Sequence, residues 1–247
     1  MKTFDAILNW KLLQGSHEFP GPDGGTCINE AAVIAAGMQY RKIETITDCP
    51  PCFCPALSLF ALRLNDCAVT DYHRNELLEF VTRLPGSADT SLVQAARDEF
   101  IVTGLVREIM PIILRRVGLE GDAGDIIFAG TTQEAQFCVN VAGRKVKKLL
   151  PSCQTYGDRR VLACVRQACR NLGVLRYPSV QEDSIDHLLY ASYHGASWSE
   201  DSRVHEVWDR LVEILRGAFA IGKQADPLDI ADVKSRLDEY RHLREYV

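Results

Sequence analysis

Long apolar runs are missing from this chain. The longest, Ala31–Ala36, falls far below the roughly 20 residues that a bilayer-spanning helix needs. Asp5, Asn9 and Lys11 interrupt the opening stretch MKTFDAILNWKLLQG, so no signal-peptide apolar region forms there. The expectation is a cytoplasmic protein with no membrane partner. Internal repeats and low-complexity tracts are absent as well, which sets aside solenoids and disordered tails. No H-E-x-x-H occurs, and no Lys follows the glycines of Pro20–Thr26, so neither a zincin nor a P-loop is present. Strand-like material is scarce. Aromatic residues hardly interleave with the cations, since only Tyr156 and Tyr177 lie among them, which argues against a base-stacking groove.

What remains is ordinary globular composition, 47% hydrophobic and 25% charged over 247 residues, enough for one large domain or two small ones. Helical periodicity dominates. Phe4, Ile7, Leu8 and Leu12 form a stripe that stops at Gly15. Thr26 is placed to cap a helix through Ala36, with Glu30 in its first turn and Gly37 just past its end. Tyr40–Thr47 alternates as one short strand would. Pro55 opens a helix to Leu64, Asp71 caps another to Leu84, and the stretch Thr90–Val117 is helical with a kink or break at Pro111. Further helices are expected at 132–149, 158–172, 183–193, 202–221 and 229–244. The fold class is therefore mainly α, a multi-helix bundle with at most one short strand pair near residues 40–47. The turn-rich Gly118–Gly124 would divide it into lobes at 1–120 and 121–247, if it is not a single domain.

Nine cysteines, four of them within Cys27–Cys54, make the N-terminal loops the first place to look for chemistry. With no export signal, a disulfide framework is not expected. Cys49 and Cys52 form a C-x₂-C pair that can chelate zinc, with Cys27 and His17 as further ligands, although the usual second pair is missing. The same C-x-x-C also suits a redox thiol, but the βαβ context of such sites is not there. A Cys27–His17 nucleophile pair is a further option, set against a loop histidine that simply bonds backbone. Buried structural thiols are the plainer explanation for the whole group. Pro20–Thr26 could hold an anion at a helix N-terminus, or be only a tight turn. His187, His194 and His205 complete no motif.

Charge is unevenly spread. Residues 144–176 carry nine Lys or Arg against one acid, a net of +8, between flanks of −7 and −6 in a chain of net −5. Arg144, Lys145, Lys147 and Lys148 end one helix. Arg159, Arg166 and Arg170 fall at i, i+7 and i+11 of the next and share a stripe. Such a belt binds nucleic-acid phosphates or an acidic protein surface, or lies solvated against the chain's own acidic flanks.

The segments GSHEFPGPDGGTCINEAAVIAAG, YRKI, DCPPCF and ALRLND, within residues 1–85, resemble a group of bacterial and mobile-element proteins of unassigned activity. The resemblance carries over no catalytic residue and implies a setting rather than a chemistry. Three roles follow from the sequence. The first is a non-enzymatic protein that binds another protein or a nucleoprotein complex, in its sharpest form a phage or mobile-element inhibitor of a host defence complex of the anti-CRISPR type. The second is a zinc-binding or thiol-dependent enzyme centred on His17, Cys27, Cys49 and Cys52. The third is nucleic-acid binding through the 144–176 belt.

Overall fold

The structure is a computed structural model that describes residues 10–17, 25–68, 70–173, 203–223 and 226–242. It is mainly α-helical, as expected. Among the described residues the strand content is one parallel two-residue ladder, β1 (Lys11–Leu12) on β2 (Gly25–Thr26). The ladder is not at residues 40–47. There the Asp48 carboxylate accepts from the Glu44 and Thr45 N–H groups at 3.1 and 2.8 Å, which curls the chain into a 3₁₀ turn at Ile46–Asp48. Local side-chain acceptors of this kind compete with a strand ladder. The expected stripe from Phe4 to Leu8, the Pro20–Gly24 turn, the helix at 183–193, His187 and His194 lie outside the described residues, and Leu12 belongs to β1.

The chain divides into two compact units, Met1–Arg97 with Ala218–Val247, and Asp98–Gly217. This division differs from sequential halves meeting at residue 120, because the segment after residue 217 returns to the first unit.

The first unit is built around α1 (Ile28–Ala35), every residue of which is buried. Beyond Asn29 and Glu30 in its first turn this short, Ala-rich helix is apolar on all sides and has nowhere else to go. It packs against α2 (Pro55–Cys67), α4 (Leu78–Val81) and α11 (Ile230–His242). Its cap is Cys27, not Thr26. The Thr26 hydroxyl is taken by the Trp10 indole N–H at 2.9 Å, while Cys27 Sγ accepts the Glu30 N–H at 3.5 Å. Gly37, at φ +71, ends the helix as expected: the Gly37 and Met38 N–H groups reach back to the Ile34 and Val33 carbonyls, which needs a left-handed residue. The single helix expected over Asp71–Leu84 is two, α3 (Asp71–Glu76), capped by Thr70, and α4.

Two buried charged side chains organise this unit. Glu30, 0% exposed, accepts from the Cys27 N–H at 2.9 Å, the Ile43 N–H at 3.1 Å, the Ser16 hydroxyl at 2.6 Å and the His17 N–H at 3.4 Å. One carboxylate thus ties two loops to the capped start of α1. Arg97, 1% exposed, donates through Nη1 to the Ser87 carbonyl at 2.6 Å, and through Nε and Nη2 to the Ile221 carbonyl at 3.1 and 2.9 Å. It fixes the returning segment, where Phe219 also stacks on Phe80 with centroids 5.3 Å apart. Arg236 of α11 closes the unit by donating to the Ala35 carbonyl.

The second unit contains the second half of α5 (Ser91–Gly104), a π turn at Leu105–Ile109, α6 (Met110–Arg116), α7 (Glu120–Phe128), α8 (Thr132–Leu149), α9 (Tyr156–Leu172) and most of α10 (Arg203–Phe219). Pro111 bends the hydrogen-bond pattern instead of breaking the helix. It has no N–H to offer the Arg107 carbonyl, and the ladder widens so that the Met110 N–H reaches Leu105, five residues back. The expected Gly118–Gly124 loop shrinks to Gly118–Leu119, and α7 begins at Glu120. Glu120 and Asp122 favour its N-terminus, and burial of Ala123 and Ile126 outweighs the cost of Gly121 and Gly124. No helix among the described residues is long and apolar enough to cross a membrane.

Candidate nucleic-acid interface

The cysteine-rich loops do not assemble into a centre. Cys27 is fully buried at the α1 cap, and burial, reinforced by the Glu30 charge, holds its thiol well above the ordinary range. Burial also pushes Cys49 up to about 12, against an opposing hydrogen bond with Ser58. Metal ligands and nucleophiles act as thiolates, and these surroundings favour the protonated form. Cys52 contributes its carbonyl to the Ala88 N–H at 2.9 Å, and the Cys54 N–H donates to the Ser87 hydroxyl at 2.9 Å. The ring of His17 donates from Nε2 to the Gln14 carbonyl at 2.8 Å. Among the described residues no three of His, Cys, Asp and Glu stand together as a metal site. His17, Cys27, Cys49 and Cys52 instead sit at separate structural posts.

These thiols yield a pH dependence. Cys169, fully buried on α9, is also raised to about 12 by burial. An ordinary thiol ionises near 9.0, so between pH 9 and 12 the unfolded chain sheds protons that the folded chain keeps. Stability is therefore complete below pH 9 and falls as pH rises through this window, by about 1.4 kcal/mol per pH unit for each such thiol. Urea melts from pH 8 to 11 should show the decline, and Cys169→Ala should make it shallower by that amount. An unchanged slope would count against burial as the cause.

The basic belt, by contrast, is gathered by the fold. Thr131 caps α8 in a box with Glu134, and Thr155 caps α9 through the Asp158 N–H at 3.1 Å. The two helices form an antiparallel hairpin. Gly143 lets α9 approach so closely that a Cβ there would lie 2.8 Å from the Cys169 Cβ, and Asn140 Nδ2 donates to the Gly173 carbonyl at 2.6 Å. Ala135, Val139, Ala142 and Val146 turn inward from α8, as do Val161, Val165, Ala168, Cys169 and Leu172 from α9. That arrangement leaves Arg144, Lys147, Lys148, Arg159, Arg166 and Arg170 exposed on the outside.

None of these six cations makes an ion pair or a side-chain hydrogen bond among the described residues. Lys147 continues the α8 row of Asn140 and Gly143 that borders α9, so it joins the arginine stripe. Arg144 and Lys148 lie one step further round α8. Lys145 leaves the group: it turns to α7 and binds the buried Asp122 at 2.8 Å, a hydrogen bond that raises its own proton affinity. The stripe from Arg159 to Arg170 is about 16 Å long at 1.5 Å per residue. Tyr156 is exposed at its N-terminal end.

A cavity of about 480 Å³ opens at the base of the hairpin, walled by Ile113, Val117, Leu149 and Leu162. On its rim the Ser152 hydroxyl and the Cys153 thiol both donate to the Leu149 carbonyl. Arg116, Gln154, Thr155 and Asp158 also line it, so the hollow beside the cationic face is mixed in polarity. Comparison with known proteins adds no family: no family model, no curated protein and no solved structure matches this chain.

Proposed function

We propose that this protein binds nucleic acid through its phosphate backbone, on the outer face of the α8–α9 hairpin. The observation that carries this role is the exposed row of Lys147, Arg159, Arg166 and Arg170, flanked by Arg144 and Lys148, with no acid of its own. Lys145 is paired internally with Asp122, whereas these cations face solvent together without an ion-pair partner among the described residues. Duplex DNA carries a charge about every 1.7 Å of axis, so a stripe of about 16 Å faces several phosphates at once. Arginine suits these contacts because its planar fork matches phosphate oxygens. With a single aromatic at one end, binding is through the backbone and independent of sequence. Any interference with a host nucleoprotein complex would then work by competing for its nucleic acid.

The test is fluorescence anisotropy with a labelled random-sequence duplex over a salt series. Four phosphate contacts give a slope of log Kobs against log salt of about −3.6. Changing Arg159, Arg166 and Arg170 to Gln together should flatten it by about 2.7, and changing them to Glu should abolish binding. No binding at low salt, or a triple variant with an unaltered slope, overturns the proposal.

A further inference from the structure

Phosphate binding does not explain Glu134, Phe137 and Val141 on the outermost row of α8. Glu134, Phe137, Val141, Arg144 and Lys148 fall at i, i+3, i+7, i+10 and i+14, the spacing of a coiled-coil seam, and they lie opposite the buried row of Ala135, Val139, Ala142 and Val146. Phe137 is 63% exposed. It shares a groove of about 660 Å³ with Phe128, itself 87% exposed, and with the carboxylates of Asp125 and Glu134. The row is acidic and aromatic at its N-terminal end and cationic at its C-terminal end.

We propose that α8 pairs with α8 of a second copy of this chain, antiparallel, about a two-fold axis at Val141. The row is close to self-complementary in register. When Val141 meets Val141, Glu134 meets Lys148 of the second copy, and Phe137 falls within one residue, about 1.5 Å of helix rise, of Arg144. A guanidinium over an exposed phenyl ring is a cation–π contact, and the Glu134–Lys148 pair closes each end of the seam. One oxygen of Glu134 already accepts the Gly130 and Thr131 N–H groups at 2.8 and 3.1 Å, and the other is left for the lysine. Two-fold symmetry makes every contact twice, whereas parallel pairing sets like charges against each other. A second copy is the occupant because the row supplies its own complement, in charge and in spacing.

This pairing does not rest on nucleic-acid binding. It uses Arg144 and Lys148, and leaves Lys147, Arg159, Arg166 and Arg170 outside the seam. Sedimentation equilibrium of the full chain without nucleic acid should show a monomer–dimer equilibrium. Glu134→Lys and Lys148→Glu should each weaken it about 10-fold or more, as repulsive charges at an interface do. The two changes in one chain should restore it, and mixing the two single variants should give a heterodimer. Because Glu134 also caps α8, this rescue separates a lost contact from a damaged helix. A monomer at every concentration, a dimer indifferent to both reversals, or a double variant without recovery overturns the proposal. Changing Arg159, Arg166 and Arg170 to Gln should leave dimerisation as it was.

Discussion

Glu30→Ala should destabilise the first unit by about 3–5 kcal/mol, a large part of the 5–15 kcal/mol that holds a typical domain folded. The carboxylate is wholly buried and is the shared acceptor for donors from Ser16, His17, Cys27 and Ile43. Removing it strands several donors at once, each at a cost of about 1–3 kcal/mol where water does not reach. Glu30→Gln keeps the shape but exchanges one acceptor oxygen for an N–H₂ that points at other donors, so it should recover only a small part. Urea denaturation followed by circular dichroism measures both. A loss below about 1 kcal/mol for Glu30→Ala would mean that the loops hold without the carboxylate.

The second large effect is expected at Arg97. Arg97→Met preserves the length and apolar packing of the stem but leaves the Ser87 and Ile221 carbonyls without their donors. The expected cost is about 3–5 kcal/mol, with the segment around Lys223 released first. Arg97→Lys should rescue little, because a single ammonium does not reproduce a planar fork aimed at two carbonyls. Trypsin cleavage after Lys223 is the direct readout, and it should accelerate well before global unfolding. Equal cleavage rates in wild type and variant would show that the segment is held by Phe219 and its neighbours instead.

These two residues also mark the limit of what could be read from the chain. Helices with strong apolar periodicity, such as those expected at 132–149 and 158–172, are legible because one face repeats locally. The stripe of Arg159, Arg166 and Arg170 is legible for the same reason. Its union with Lys147 is not, since that depends on the register of Gly143 against Cys169. The cap at Cys27 is not legible because cysteine is a poor acceptor and Thr26 is the ordinary choice; Thr26 is instead occupied by the Trp10 indole. α7 was hidden by Gly121 and Gly124, whose cost is offset by burial that no local pattern displays. Glu30 and Arg97 look like any other charges in the sequence, because their partners are backbone groups of distant loops. The acidic end of the α8 row was likewise masked by the cap role of Glu134, which accounts for that residue without calling for anything outside the helix.

The division of the chain has a consequence for the order in which the protein is made. Residues 98–217 can complete their own unit as soon as they leave the ribosome. Residues 1–97 cannot, because Ile221, the carbonyl held by Arg97, and Arg236, the donor to Ala35, are translated after the second unit. The wholly buried α1 therefore emerges early and finds its α11 cover only after residues 98–217 have been made. During that interval its apolar surface is exposed to chaperones and proteases, so the unit begun earlier is completed later.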